Sequence, residues 1–190
     1  MTDLLALPTV RERMQGLSVE SYHRLGEMGL LGKNVELLRG IVVTKMSKSP
    51  LHELVAQKIL KLLLAQVPAG FEVRKEGPLT LADSEPEPDL SVVKGRPEDW
   101  ANAHPSTARL VVEVAASSAA LDESQAEIYA EAGIPEYWLV RSQQRAVDVR
   151  TQPSGSRYLF KTTLGEDDWL RSASLPGVEF RVVDALPGIA

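Results

Sequence analysis

Residues 109–115 read Arg-Leu-Val-Val-Glu-Val-Ala, an aliphatic run with one charge, Glu113, in its interior. Near-continuous apolar side chains on both sides of a pleat need protein over both faces, so this run is a buried central strand. A helical stretch follows at 117–132, closed by Gly133, and Pro135 leads into a second buried strand at 137–140. Strand, helix and strand in that order predict a mixed α/β sheet with helices on its faces.

The remaining segments extend this pattern. Residues 1–17 mix charged and apolar side chains without a period and form an N-terminal arm; residues 18–190 form a single domain, as a chain of 190 residues leads one to expect. Ser18 caps a helix running to about residue 30, with Gly32 as its stop. Residues 35–46 are rich in β-branched side chains around Arg39-Gly40, which predicts a bent strand or a tight hairpin. Ser49-Pro50 is an N-cap and first-turn pair that opens a helix to about residue 66. A short strand at 71–76 precedes the segment Asp83-Ser84-Glu85-Pro86-Glu87-Pro88, whose prolines lack the donors a strand interior needs. That loop delivers Asp89 to a strand at 90–94. Additional antiparallel strands are expected toward the C-terminus, at 146–150, 158–163, 168–170 and 178–183.

Composition removes several classes of function. The chain has no cysteine, which excludes disulfides, thiol catalysis and cysteine-based zinc sites and favours a reducing compartment; a cytoplasmic location is expected. His23, His52 and His104 are too scattered for a zinc site, and no apolar run approaches the roughly 20 residues of a membrane span. A net charge of −5 argues against strong non-specific binding to nucleic acid, although an acidic total can hide a local basic rim.

Three acids stand where the local pattern is apolar. Glu113 lies inside the central strand, where an unpaired carboxylate costs several kcal/mol. Asp89 leaves a proline-stiffened loop at the start of a strand, and Glu36 opens the apolar run 35–38. If they converge, they form a hard-oxygen pocket suited to Mg²⁺ or Mn²⁺. Each also has a structural reading: an ion pair of Glu113 with Arg109 or Arg74, a turn-capping Asp89, an edge-exposed Glu36. His52, in the first turn of its helix, reads as a surface or cap-adjacent residue.

Several segments occur together in one order: Tyr22-His23-Arg24-Leu25-Gly26-Glu27, Val35-Glu36-Leu37-Leu38-Arg39-Gly40, His52, Glu85-Pro86-Glu87-Pro88-Asp89-Leu90, Val111-Val112-Glu113-Val114, and Ala132-Gly133-Ile134-Pro135-Glu136-Tyr137-Trp138-Leu139-Val140. Over roughly residues 18–185 the chain resembles the Uma2 family of restriction-endonuclease-like proteins. The resemblance implies a PD-(D/E)xK nuclease fold, a restriction-endonuclease-like mixed sheet flanked by helices, acting as a Mg²⁺- or Mn²⁺-dependent endonuclease on DNA. It implies Asp89 and Glu113 as metal-binding acids and Glu36 as the acid that completes the pocket. Position 115, where such an enzyme carries lysine, is Ala115; relatives that take their lysine from the following helix, four residues before a tyrosine resembling Tyr129, place it at Gln125. Glutamine orients water but brings no charge. Ile41 follows Gly40 where a further acid often stands, and Lys75 is a candidate substitute for the lysine. The alternative function is a catalytically inactive nuclease-fold protein serving as a binding or homo-oligomeric module, and a dimer is expected, with strand-edge pairing around Tyr137 and Trp138 as one route.

Overall fold

A computed structural model describes residues 7–11, 13–115 and 119–188. Its centre is a six-stranded sheet in the order β3-β4-β5-β6-β7-β8, formed by β3 (Phe71–Lys75), β4 (Leu90–Lys94), β5 (Leu110–Val114), β6 (Glu136–Arg141), β7 (Ala146–Ser154) and β8 (Arg157–Gly165). The β5–β6 pair is parallel and the others are antiparallel, so the sheet is mixed, as expected. The parallel pair is joined by α4 (Ala119–Glu131), the crossover helix that such a connection requires.

Both faces of β5 are covered because its side chains alternate between two cores. Leu110, Val112 and Val114 pack with Val55, Ile59 and Leu63 of α3 (Pro50–Leu64) and with the C-terminal segment, including Phe180 and Leu186. Val111 points the other way, toward Ile128 and Tyr129 of α4. Trp138 and Tyr137 of β6 divide in the same manner. Both are fully buried in an interior strand, which rules out the expected edge pairing through them; β3 and β8 are the edges.

The hairpin of β1 (Val35–Leu38) and β2 (Ile41–Thr44) resolves the two readings of 35–46 in favour of a tight turn. Arg39 and Gly40 occupy it with φ of 49° and 74°, the left-handed pair that matches strand twist. Gly40 is obligatory there, since a Cβ would stand 2.8 Å from Gly16 Cα.

Several boundaries differ from expectation, two of them with a clear local cause. Helix α2 (Val19–Glu27), which follows the single turn α1 (Pro8–Arg11), is capped by Ser18, whose Oγ accepts from Ser21 N at 3.1 Å, but it ends before Gly32. Gly29 takes the left-handed closing conformation (φ 69°), and Gly29 N and Leu30 N donate back to Gly26 O and Leu25 O. At the other end, β9 (Trp169–Arg171) pairs with β10 (Glu179–Arg181), and the strand expected to reach 183 turns into α5 (Val182–Ala185). The Asp184 carboxylate accepts from Arg181 N at 3.2 Å and fixes that helix start.

Candidate active site

Strand register places the acids. Leu90 of β4 lies opposite Val112 of β5, so one step beyond that pair Asp89 meets Glu113. On the other side Lys75 of β3 lies opposite Leu90, and one step on Glu76 meets Asp89, its N donating to Asp89 O at 3.1 Å. Three neighbouring strand ends therefore carry Glu76, Asp89 and Glu113 in a row. The proline loop puts Asp89 there because it cannot extend the ladder.

The two central carboxylates are bound into the sheet. Asp89 N donates to Glu113 Oε2 at 3.1 Å, Val114 N donates to Asp89 Oδ2 at 2.8 Å, and the Tyr129 hydroxyl of α4 donates to Glu113 Oε1 at 2.9 Å. Among the described residues Glu113 thus finds no guanidinium: Arg74 donates to Pro78 O and lies over the Trp100 ring. Glu36 of β1 is 8% exposed and accepts from Glu87 N at 3.2 Å. Neither the ion-pair reading of Glu113 nor the exposed reading of Glu36 holds.

Two residues that the sequence reading did not assign to the site also bind Asp89. His52 is 5% exposed, not a surface residue, and its Nε2 lies 2.9 Å from Asp89 Oδ2. Lys48, in the loop between β2 and α3, lies 2.7 Å from Asp89 Oδ1 and 3.0 Å from Glu76 Oε1. Lys75 reaches Glu53 and Glu76 instead.

These groups line one cleft of about 370 Å³. Glu36, Glu76, Glu87, Asp89 and Glu113 supply its carboxyl groups, Lys45 and Lys48 its ammonium groups, and His52 and Gln125 further polar lining. Glu36, Asp89, Glu113 and Gln125 thus share a single concavity. Among the described residues, however, no three acidic or histidine side chains are already arranged around a cation position. The Lys48 ammonium stands beside Asp89 instead.

The electrostatics separate the pair. Burial and then the charge of Asp89 push the Glu113 carboxyl well above its ordinary range. Burial would raise Asp89 as well, but hydrogen bonds from His52, Lys48 and Val114 N outweigh it and hold this carboxyl low. Glu36 is raised, chiefly by burial.

A stability consequence follows for Glu113. Below the unfolded-state value both states are protonated; above it the unfolded chain ionises first, so this residue's contribution to stability falls as pH rises toward the folded value. Glu113→Gln keeps an acceptor for Asp89 N and turns its amide toward the Tyr129 oxygen. The variant is expected to melt higher than the parent near pH 8, by about 2–4 °C per kcal/mol recovered, with the gap closing toward about pH 4. Thermal melts across that range check it, and a gap that widens in acid would contradict the assignment.

Comparison with known proteins finds both a family and similar solved structures. A model of the family Uma2, described as "Putative restriction endonuclease", matches residues 19–183. The crystal structure of a putative nuclease belonging to DUF820 from Anabaena variabilis ATCC 29413 is similar with a TM-score of 0.72 and 15% sequence identity, over 89% of this chain and 97% of that one. Among curated proteins none matches this chain significantly. Among the described residues, no helix is long and apolar enough to cross a membrane.

Proposed function

Because the chain belongs to the Uma2 family, we propose that the cleft is the catalytic centre of a divalent-metal-dependent endonuclease that hydrolyses phosphodiester bonds in DNA. The observation that carries this reading is the Asp89–Glu113 pair, two carboxyl groups held at adjacent strand ends, each bonded to the backbone of the other's strand, with no arginine among the described residues between them. As architecture alone, such a pair is a net electrostatic cost; beside a dication it becomes favourable.

The residues fit Mg²⁺ or Mn²⁺ by the chemistry of their donors. Hard carboxylate oxygens dominate the cleft, and Glu113, raised first by burial and then by the charge of Asp89, is a carboxyl that a nearby cation would favour in its ionised form. Asp89 and Glu113 would hold the ion, with Glu36 completing the pocket. When bound, the ion supplies Lewis-acid polarisation of a phosphodiester and acidifies a water. His52 and Val114 N fix the Asp89 rotamer, while Tyr129 and Asp89 N fix that of Glu113. The Gln125 amide orients water or a phosphate oxygen through hydrogen bonds.

A non-catalytic reading, a binding or homo-oligomeric module, takes its support from the neutrality of Gln125. One assay separates the two. Supercoiled and single-stranded DNA are incubated with Mg²⁺ or Mn²⁺ and either the parent protein or Asp89→Asn. Nicking by the parent that falls sharply in the variant is expected. Equal product from both proteins, or none from the parent with either metal, would reject the catalytic reading.

A further inference from the structure

We infer that Lys48 is the phosphate-facing cation of this cleft, a function that nothing in the length or composition of its loop announces. The inference rests on the endonuclease reading above and deepens it. A phosphodiester entering here brings negative charge to a lining that already carries Glu36, Glu76, Glu87, Asp89 and Glu113, so a positive group beside the acids is needed to admit it. Gln125 cannot supply that charge.

Three lysines compete for the assignment. Lys75 bonds Glu53 and Glu76 and is absent from the cleft lining. Lys45 lines the cleft but is paired with Glu87 at 2.5 Å, on the Glu36 side. Lys48 alone among them contacts Asp89, at 2.7 Å, and its second partner, Glu76, is the next acid in the row. Those two carboxylates take two of the three donors of an ammonium and leave one for a ligand oxygen. The loop is held at both ends, by Lys45 N donating to Asn34 O at 2.9 Å and by Ser49, whose Oγ caps α3 by accepting from His52 N at 3.2 Å. Lys48 is therefore presented to the cleft from an anchored segment rather than from a free surface arm.

The test compares the parent with Lys48→Met, Lys48→Arg and Lys48→Met/Gln125→Lys. Three quantities are read: Mn²⁺-dependent nicking, Mn²⁺ affinity by calorimetry, and the affinity for a fluorescent phosphorothioate oligonucleotide by anisotropy with Mn²⁺ present. Lys48→Met is expected to lose about 10²-fold or more in nicking and about tenfold in oligonucleotide affinity, while Mn²⁺ binds as well or better. Lys48→Arg should retain oligonucleotide binding, which guards against a folding defect in the methionine variant. Because Gln125 lines the same cleft, a lysine there should restore part of both losses. Unchanged oligonucleotide affinity in Lys48→Met would overturn the inference and leave Lys48 as a counter-ion of Asp89 and Glu76. If the parent nicks nothing yet Lys48→Met still loses oligonucleotide affinity, the endonuclease reading fails and the Lys48 assignment stands.

Discussion

Glu136→Ala is expected to lower the unfolding free energy by about 3–5 kcal/mol, the largest stability loss of any single substitution considered. Glu136 opens β6, is fully buried, and accepts from five donors: Trp138 Nε1 at 2.8 Å, Ser172 Oγ at 2.6 Å, Ala173 N at 3.2 Å, and Ser174 N and Oγ at 2.9 and 2.7 Å. It ties the central sheet to the segment that follows β9, where the single Ser174 hydroxyl proton is shared between Glu136 Oε2 and Arg109 O, 2.8 Å away at the entry to β5. Removing the carboxylate strands an indole N–H in the core and frees the 172–174 turn. Glu136→Gln should fall between parent and alanine, since its amide keeps one acceptor but turns donors toward donors. Urea unfolding midpoints measure both; a loss under about 1 kcal/mol for alanine would contradict the assignment of this residue as a buried anchor.

The second large effect falls on Asp89. Asp89→Asn is expected to reduce metal-dependent nicking by about 10²–10⁴-fold while stability stays within about 1 kcal/mol of the parent. The asparagine oxygen still accepts from Val114 N, so the strand ends remain joined. The charge facing Lys48 and His52 is gone, and with it the strongest attraction for a cation in the cleft. A variant that unfolds would show that Asp89 acts through architecture; a folded variant that nicks at the parental rate would remove it from the chemistry.

How much of this was legible before the structure depends on the kind of signal each residue left. Strand β4 was readable to the residue because proline bounds it on one side and Gly95 on the other, and the same prolines exposed Asp89 as a deliberate placement. Glu113 stood out because burial of its neighbours was certain from their composition. Glu76 was one register step away, but the register of β3 against β4 cannot be read from one sequence. His52 does carry a signal: with Val55, Ala56, Ile59 and Leu63 it shares the three- and four-residue spacing of the buried face of α3. A histidine on that stripe, in the first turn of a buried helix, is turned inward whatever its usual exposure. Lys48 left none. It sits in a polar loop without period, and only the β1–β2 hairpin and the start of α3 bring that loop to Asp89. The strand expected at 178–183 stops short because the Asp184 carboxylate that starts α5 competes locally with strand extension.

The claim on which the functional account rests is that the Asp89–Glu113 strand ends take up a divalent cation. Isothermal titration of the parent protein with Mn²⁺ tests it directly, with Glu113→Ala, confirmed folded by its melt, as the comparison. The account expects one site per chain of micromolar affinity in the parent and no measurable heat of binding in the variant. No binding by the parent, or the same isotherm from both proteins, would contradict it.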